Sequence, residues 1–279
     1  MAYLATAGTG SPGRAGSALS GRTAAAIGWS WPSTLVVVSL LAAWEVAVRS
    51  GTIQGLLAPA PSAIGRILIG LLASGVMPVQ LGATLLRVAG GLALGAGTGT
   101  VVGLVMGWSE KARLTLDPIV AALHPIPKIA LFPLLIVLLG VGERSKVAAI
   151  SIAAFFPATI STMGGVRAMN PVHLDLARVY GASTWQLFRR VLLPGSLPIV
   201  LGGLRIAANV AFLSTIAVEM VAAQTGLGAL LWQSWQLFRI EQLYATLLII
   251  TFVGIGLGTM IRWVSARSAP WLSERQGAG

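Results

Sequence analysis

Apolar runs of membrane-spanning length, separated by short basic loops, constrain this chain more than any other feature of it. The stretches 31–49, 81–107, 117–140, 144–165, 197–221 and 243–264 are predominantly apolar. Each holds roughly the 20 residues a helix needs to cross a hydrocarbon core. A backbone surrounded by lipid must satisfy its own hydrogen bonds, so the expected fold class is all-α: a polytopic membrane protein of about six transmembrane helices. Composition agrees, with 56% hydrophobic and only 10% charged residues. An ordinary soluble domain carries about 25% charged residues, so these polar groups are too few to clothe a soluble globule. There is no cysteine, which excludes a disulfide framework, a thiolate metal site and a cysteine nucleophile.

The net charge is +11, from 19 Lys+Arg against 8 Asp+Glu. A nucleic-acid binder gathers such charge into a patch or stripe. Here it is scattered between apolar runs, so the expected partner is the lipid bilayer and no nucleic acid. With the amino terminus in the cytoplasm, Arg14, Arg22, Lys111, Arg113, Arg167, Arg178, Arg189, Arg190, Arg262, Arg267 and Arg275 lie inside. Only Arg49, Arg66, Arg144, Lys146 and Arg239 then lie outside. That asymmetry favours cytoplasmic amino and carboxyl termini, and it puts Trp29, Trp31, Trp108 and Trp263 at the cytoplasmic interface. Residues 1–28, rich in Ala, Gly, Ser and Thr, are expected to form a disordered cytoplasmic tail. Residues 29–265 form the transmembrane domain with a cytoplasmic loop over 166–196, and 266–279 form a second tail.

Several features within the spans carry specific expectations. The apolar piece Ile64 to Leu72 is too short to cross and is expected to lie along the outer surface, with Ser62 as its N-cap. In span two Gly91, Gly95, Gly99, Gly103 and Gly107 recur every four residues and leave one helix face nearly bare. Such a face permits close helix packing, either within one subunit or at a subunit seam. Span three is interrupted by Pro118, Pro125, Pro127 and Pro133, so it is expected to be kinked or broken. Freed carbonyls at membrane depth are tolerated only against protein or a watery cavity, which places Pro125, Pro127 and Lys128 beside a translocation path. His124 has no second histidine near enough to suggest a metal pair. Glu219 is read as the one acid deep in span five, with Arg205 near that span's cytoplasmic end, and Glu45 as a solvated span end. A membrane charge is a functional candidate. A glutamate repels anions, so Glu219 is assigned to a gate or a structural contact, not to a bound anionic solute.

The long loop 166–196 reads as two short helices around a sharp turn. Asn170 and Pro171 fit an N-cap followed by proline at the first helical position. Gly181 fits a left-handed terminator, and Ser183 with Gln186 fits a capping box for the second helix. Pro194 is expected to end that helix near Leu193. Its apolar side, Leu187, Phe188, Val191 and Leu192, could lie on the protein's own spans or enter a soluble partner's groove.

This loop resembles the signature of bacterial ABC-transporter permeases: Glu-Ala-Ala, three residues, Gly, nine residues, Ile-x-Leu-Pro. The spacing is filled here by Asp175, Leu176, Ala177, Gly181, Val191, Leu193 and Pro194, with Asp for Glu, Leu for Ala and Val for Ile. The motifs Pro59-Ala-Pro61-Ser62, Thr84-Leu-Leu-Arg87, Pro125-x-Pro127-Lys128, Phe132-Pro133-Leu134, Gly140-x-Gly142-Glu143-x-x-Lys146, Gly203-Leu-Arg205, Glu219 and Gly226-Leu-Gly228 extend it. Together they resemble the nitrate, taurine and aliphatic-sulfonate importer permeases over roughly 35–270. The resemblance implies a homodimer of six-span subunits in the bacterial inner membrane, two copies of a P-loop ATPase and an extracytoplasmic substrate-binding protein. It also implies an ATPase-coupling set of Asp175, Ala177, Tyr180, Gly181, Ala182, Leu187, Phe188 and Pro194, with Phe188 and Leu187 in the partner's groove. Pro125, Pro127, Lys128, Arg205 and Glu219 are the path or gate candidates. No Gly-x-x-x-x-Gly-Lys-Ser/Thr occurs, so no cofactor is expected on this chain and ATP with Mg belongs to the partner. The rival class is a secondary transporter or channel working without an ATPase, against which no inverted halves are visible. A membrane enzyme would need carboxylate or histidine clusters that two histidines and eight acids do not supply.

Overall fold

The computed structural model describes residues 31–268. The expectations for residues 1–28, for Trp29 and for 269–279 fall outside that range. The described chain is built from α1 (Trp31–Arg49), α2 (Pro61–Ala73), α3 (Val76–Trp108), α4 (Glu110–Leu123), α5 (Phe132–Leu139), α6 (Glu143–Arg167), α7 (Pro171–Val179), α8 (Thr184–Gln186), α9 (Leu193–Ala222), α10 (Leu227–Gln236) and α11 (Ile240–Ser268). A 3₁₀ turn, Lys128–Leu131, leads into α5, and a π turn, Leu187–Leu192, joins α8 to α9. Among the described residues five helices are long and apolar enough to cross a bilayer, and α4 with Lys128–Leu139, bent by 87°, is the candidate for a sixth. Observed helices overrun the apolar runs at several ends, since backbone hydrogen bonding continues into flanking polar residues; α3 alone has 33 residues.

The core is a stack of α3 on α6 on α9. It is filled by small side chains: Ala96 of α3, Ala154 and Ala158 of α6, and Ala207 and Ala211 of α9 gather with Ile150. Between lipid-embedded helices the hydrophobic effect has little to act on, so close backbone approach and dispersion hold the pair together. The glycine stripe supplies that approach within this chain, as one of the two sequence readings had it. A Cβ on Gly99 would stand 2.5 Å from the carbonyl oxygen of Phe155, and one on Gly103 2.5 Å from that of Thr159. Gly91 faces Ile150, Gly95 the carbonyl of Ser151, and Gly107 the side chain of Val166. All five face α6.

Two local expectations need correction. Ser62 is not the N-cap of α2: Ala60 holds that place with extended backbone and Pro61 opens the helix. Ser62 instead donates its backbone N–H (3.0 Å) and its hydroxyl (2.7 Å) to Glu45, which also pairs with Arg49 at 2.7 Å. Glu45 is therefore no bare span end. It delivers a carboxylate to the N-terminus of α2, where orphan donors and the helix dipole favour an anion. The other correction is α10, a short helix buried along its first turn, in the stretch after span five where no element was expected. Leu227 and Leu230 pack with Met77 of α3, and Ile249, Ile250 and Val253 of α11 lie against them.

Candidate functional site

Three groups of functional candidates occupy distinct parts of the bundle. The loop after α6 is built as its local chemistry dictates. The Asn170 side chain accepts the Val172 N–H at 3.0 Å, and Pro171 begins α7. The helix ends in a Schellman turn: Gly181 N–H donates to the Arg178 carbonyl and Ala182 N–H to that of Ala177. Gly181 sits at φ +78°, a conformation a Cβ disfavours. Ser183 and Gln186 then complete a capping box in both directions. Ala177, Gly181 and Ala182 thus act through their backbones to fix the angle between α7 and α8. Asp175 pairs with Arg178 at 2.9 Å on the exposed side, and Tyr180 is exposed.

The expected break at Pro194 is absent. The π turn Leu187–Leu192 runs directly into α9, so Thr184–Ala222 is continuous. A proline in a helix normally strikes the carbonyl four residues earlier and wastes its hydrogen bond. For Pro194 that carbonyl belongs to Arg190, inside the wider π turn, where the ladder is already offset. This fusion also corrects the role assigned to Leu187. It is 3% exposed and faces the protein's own bundle, so it is not offered to a partner. Phe188, half-buried, packs edge-on to Trp108 (5.7 Å) and stacks with Trp185 (5.8 Å). Ahead of α9, the large apolar side chains this loop exposes are Val172, Leu176, Val179, Tyr180 and Trp185.

The second group is the break in span three. Pro125 and Pro127 lie in the gap between α4 and the 3₁₀ turn, whereas Pro118 is accommodated within α4 and Pro133 in the first turn of α5. Lys128 donates its ammonium to the carbonyl of His124 at the end of α4 and stands 4.7 Å from the centre of the Phe156 ring. A cavity of about 370 Å³ opens there between the break, α6 and α9. His124 has no metal partners: among the described residues no group of three His, Cys, Asp or Glu could hold an ion.

The third group is one the sequence did not assemble. Glu219 lies not deep in span five but in the last turn of α9, fully buried. Its partner is Arg87 of α3, at 2.7 Å. Arg87 also grips Glu143 of α6 bidentately, Nε to Oε2 at 2.7 Å and Nη2 to Oε1 at 2.8 Å, and Lys146 reaches the same carboxylate at 2.8 Å. Thr84 donates to Glu219 at 2.9 Å and accepts the Leu227 N–H at 2.8 Å, while Gly228 N–H donates to Glu219 at 2.9 Å. Glu219 thus sits at the N-terminus of α10 with orphan donors pointing at it. Gly226 and Gly228 are there because a Cβ on either would strike Glu219. The two cations and two anions cancel, and among the described residues no buried side-chain polar atom lacks a partner. Arg205 is exposed and takes no part. It lies fourteen residues before Glu219, about 21 Å along the helix. Arg87 was detectable as a charge within span two that required a counter-charge; its Glu143 arm was not.

The cluster and the loop lie at opposite ends of α9. Residues 99–274 match the family model described as binding-protein-dependent transport system inner membrane component. The chain belongs to this family of ABC-importer permeases. The permease is 32% identical to the taurine transport system permease protein TauC of Escherichia coli, over 89% of this chain and 94% of TauC. It is 29% identical to the putative aliphatic sulfonates transport permease protein SsuC of Bacillus subtilis, over 89% of this chain and 91% of SsuC. In fold it is similar to a chain of the inward-facing MetNI methionine ABC transporter. That match has a TM-score of 0.59 at 19% identity and covers 72% of the permease and 97% of that chain. The permease is therefore a membrane subunit that is not itself catalytic.

Proposed function

We propose that this permease forms the translocation path for a small sulfonate-type solute, works as a homodimer in the bacterial inner membrane with both termini cytoplasmic, and is driven by two copies of a separate P-loop ATPase. A binding protein outside the membrane delivers the solute, and ATP with Mg is held by the ATPase alone. The observation that carries the reading is the rigid connection of the loop to span five. Asp175, Ala177, Tyr180, Gly181, Ala182, Phe188 and Pro194 belong to one unit whose exposed apolar side chains, Val172, Leu176, Val179 and Tyr180, suit a groove on a soluble partner. Because α8 passes into α9 without a break, a push on this unit is carried along the 30 residues of α9 to the Glu219–Arg87 cluster at its far end. The cluster then acts as a latch between α3, α6 and α9, while Pro125, Pro127 and Lys128 flank the path. Two states that differ in loop position and latch closure are what an ATPase binding one state better can drive.

The test is affinity purification of the tagged permease from its host in mild detergent, with mass spectrometry of the copurifying chains. A stoichiometric P-loop ATPase is expected. A clean homo-oligomer without one overturns the reading in favour of an ATPase-independent transporter. In the same preparation Gly181→Val, which forces a β-branched residue to φ +78°, should disturb the α7–α8 angle. The expected result is at least a tenfold drop in ATPase capture or uptake with normal membrane insertion, on the order of the 1–3 kcal/mol such strain costs. Unchanged coupling would remove Gly181 from the mechanism.

A further inference from the structure

Charge placement singles out one side chain that the latch does not use. Among the described residues, the basic side chains that are not exposed are Arg87, Arg113, Lys128 and Lys146. Arg87, Arg113 and Lys146 each have a carboxylate partner, and Lys128 has none. A cation half-way along a membrane span is costly and is retained where something balances it. One of the ammonium's three donors goes to the His124 carbonyl and one side of it to the Phe156 face. The rest borders the 370 Å³ cavity, whose size lies at the lower end of small-molecule pockets. Polar residues lining that cavity are Lys128, His124 and Ser214 of α9, and Ile129, Val210 and Leu213 supply apolar wall.

We infer that this cavity is an anion subsite of the permease, in which Lys128 takes the oxyanion head of a small solute and the apolar wall takes its carbon chain. The inference rests on the permease reading above and adds to it a selectivity for anions inside the membrane, separate from that of the binding protein. A strong point charge with free donor capacity suits a sulfonate or similar oxyanion better than a neutral or cationic solute. Ser214, on α9, is a second polar residue of the same cavity. The structural alternative is that Lys128 serves only to satisfy the last carbonyls of α4, a common use of lysine at a helix C-terminus.

Lys128→Gln separates the two, because an amide still donates to the His124 carbonyl but carries no charge. The purified permease in phosphatidylcholine nanodiscs, free of anionic lipid, is titrated with ethanesulfonate and with its uncharged analogue ethyl methyl sulfone, and binding is read by saturation-transfer NMR. The wild type and Lys128→Arg should bind ethanesulfonate within about threefold of each other. Lys128→Gln should weaken binding at least about tenfold, roughly 1.4 kcal/mol, and the neutral sulfone should give no signal. Leu213→Glu, which sets a carboxylate on the exposed wall of the same cavity, should abolish ethanesulfonate binding, and Leu213→Gln should not; this pair decides the matter if Lys128→Gln does not fold. Equal binding by wild type and Lys128→Gln, binding of the sulfone, or no binding by the wild type each overturns the subsite. Those outcomes leave the permease reading standing as long as the ATPase copurifies; loss of the ATPase overturns that reading whatever Lys128 binds.

Discussion

Glu219→Ala is expected to be the most damaging single truncation in the described chain, costing about 3–5 kcal/mol by leaving Arg87 half unpaired in the bundle. The side chain is fully buried, and its loss strips three partners at once: the Arg87 guanidinium, the Thr84 hydroxyl and the Gly228 N–H. It also removes the anion from the N-terminus of α10, so that helix should loosen from α3 and α11. In detergent the loss should appear as a drop in melting temperature on the order of 10 °C. Arg87→Met should fall in the same range, since it strands Glu219 and half-strands Glu143. The double variant should recover part of the loss, because two neutral groups leave no buried charge unpaired. Glu219→Gln keeps the hydroxyl and amide contacts in part and should be milder in stability than in transport. If Glu219→Ala melted within about 2 °C of the wild type, the cluster would be neither latch nor structural pin. If Glu219→Gln left uptake and assembly both intact, only the latch would fall.

The second large effect is at the α3–α6 seam. Gly95→Ala points its methyl at the backbone carbonyl of Ser151, which has no rotamer by which to withdraw. The two helices must part, and every small-residue contact along the stripe weakens with them. A loss of about 3 kcal/mol or more is expected, at or beyond the upper end of ordinary overpacking. Gly97→Ala, two residues on and facing open space, is the matched control. It should be neutral or slightly stabilising, since alanine favours a helix over glycine by about 1 kcal/mol. Thermal melts of the two variants, read together, check the assignment: similar melting temperatures would mean that the glycine stripe does not set the helix separation.

Much of this architecture was legible because it is governed locally. Apolar length marks a span whatever surrounds it, so five of the six runs match helices of the expected kind, and the prolines of the sixth produce the break expected of them at Pro125 and Pro127. The Asn170 cap, the Gly181 turn and the Ser183–Gln186 box were readable for the same reason. Each is decided by groups no more than five residues apart. Resemblance to the permease signature added the family, which the comparisons bear out. Where sequence reasoning failed, it applied a local rule that a neighbour overrode. Ser62 looked like a cap, but Ala60 and Pro61 took that position and freed Ser62 for Glu45 of another helix. Pro194 looked like a stop, but the π turn before it had already displaced the carbonyl it would strike.

The latch shows the opposite case. Arg87 is 56 residues from Glu143 and 132 from Glu219, and no periodicity links positions so far apart. The residues were visible as separate motifs, and a charge in span two asked for a counter-charge. Which acid answers depends on which helix faces lie together, and that follows from the glycine stripe pressing α3 onto α6 and the alanines seating α9 beside them. The chain alone settled most of the spans, the span-three break and the turns of the loop, because hydrogen bonding, capping and apolar length act over a few residues. Tertiary packing decided which charges neutralise one another, because a charge in a bilayer must find its partner in space and sequence distance places no limit on that.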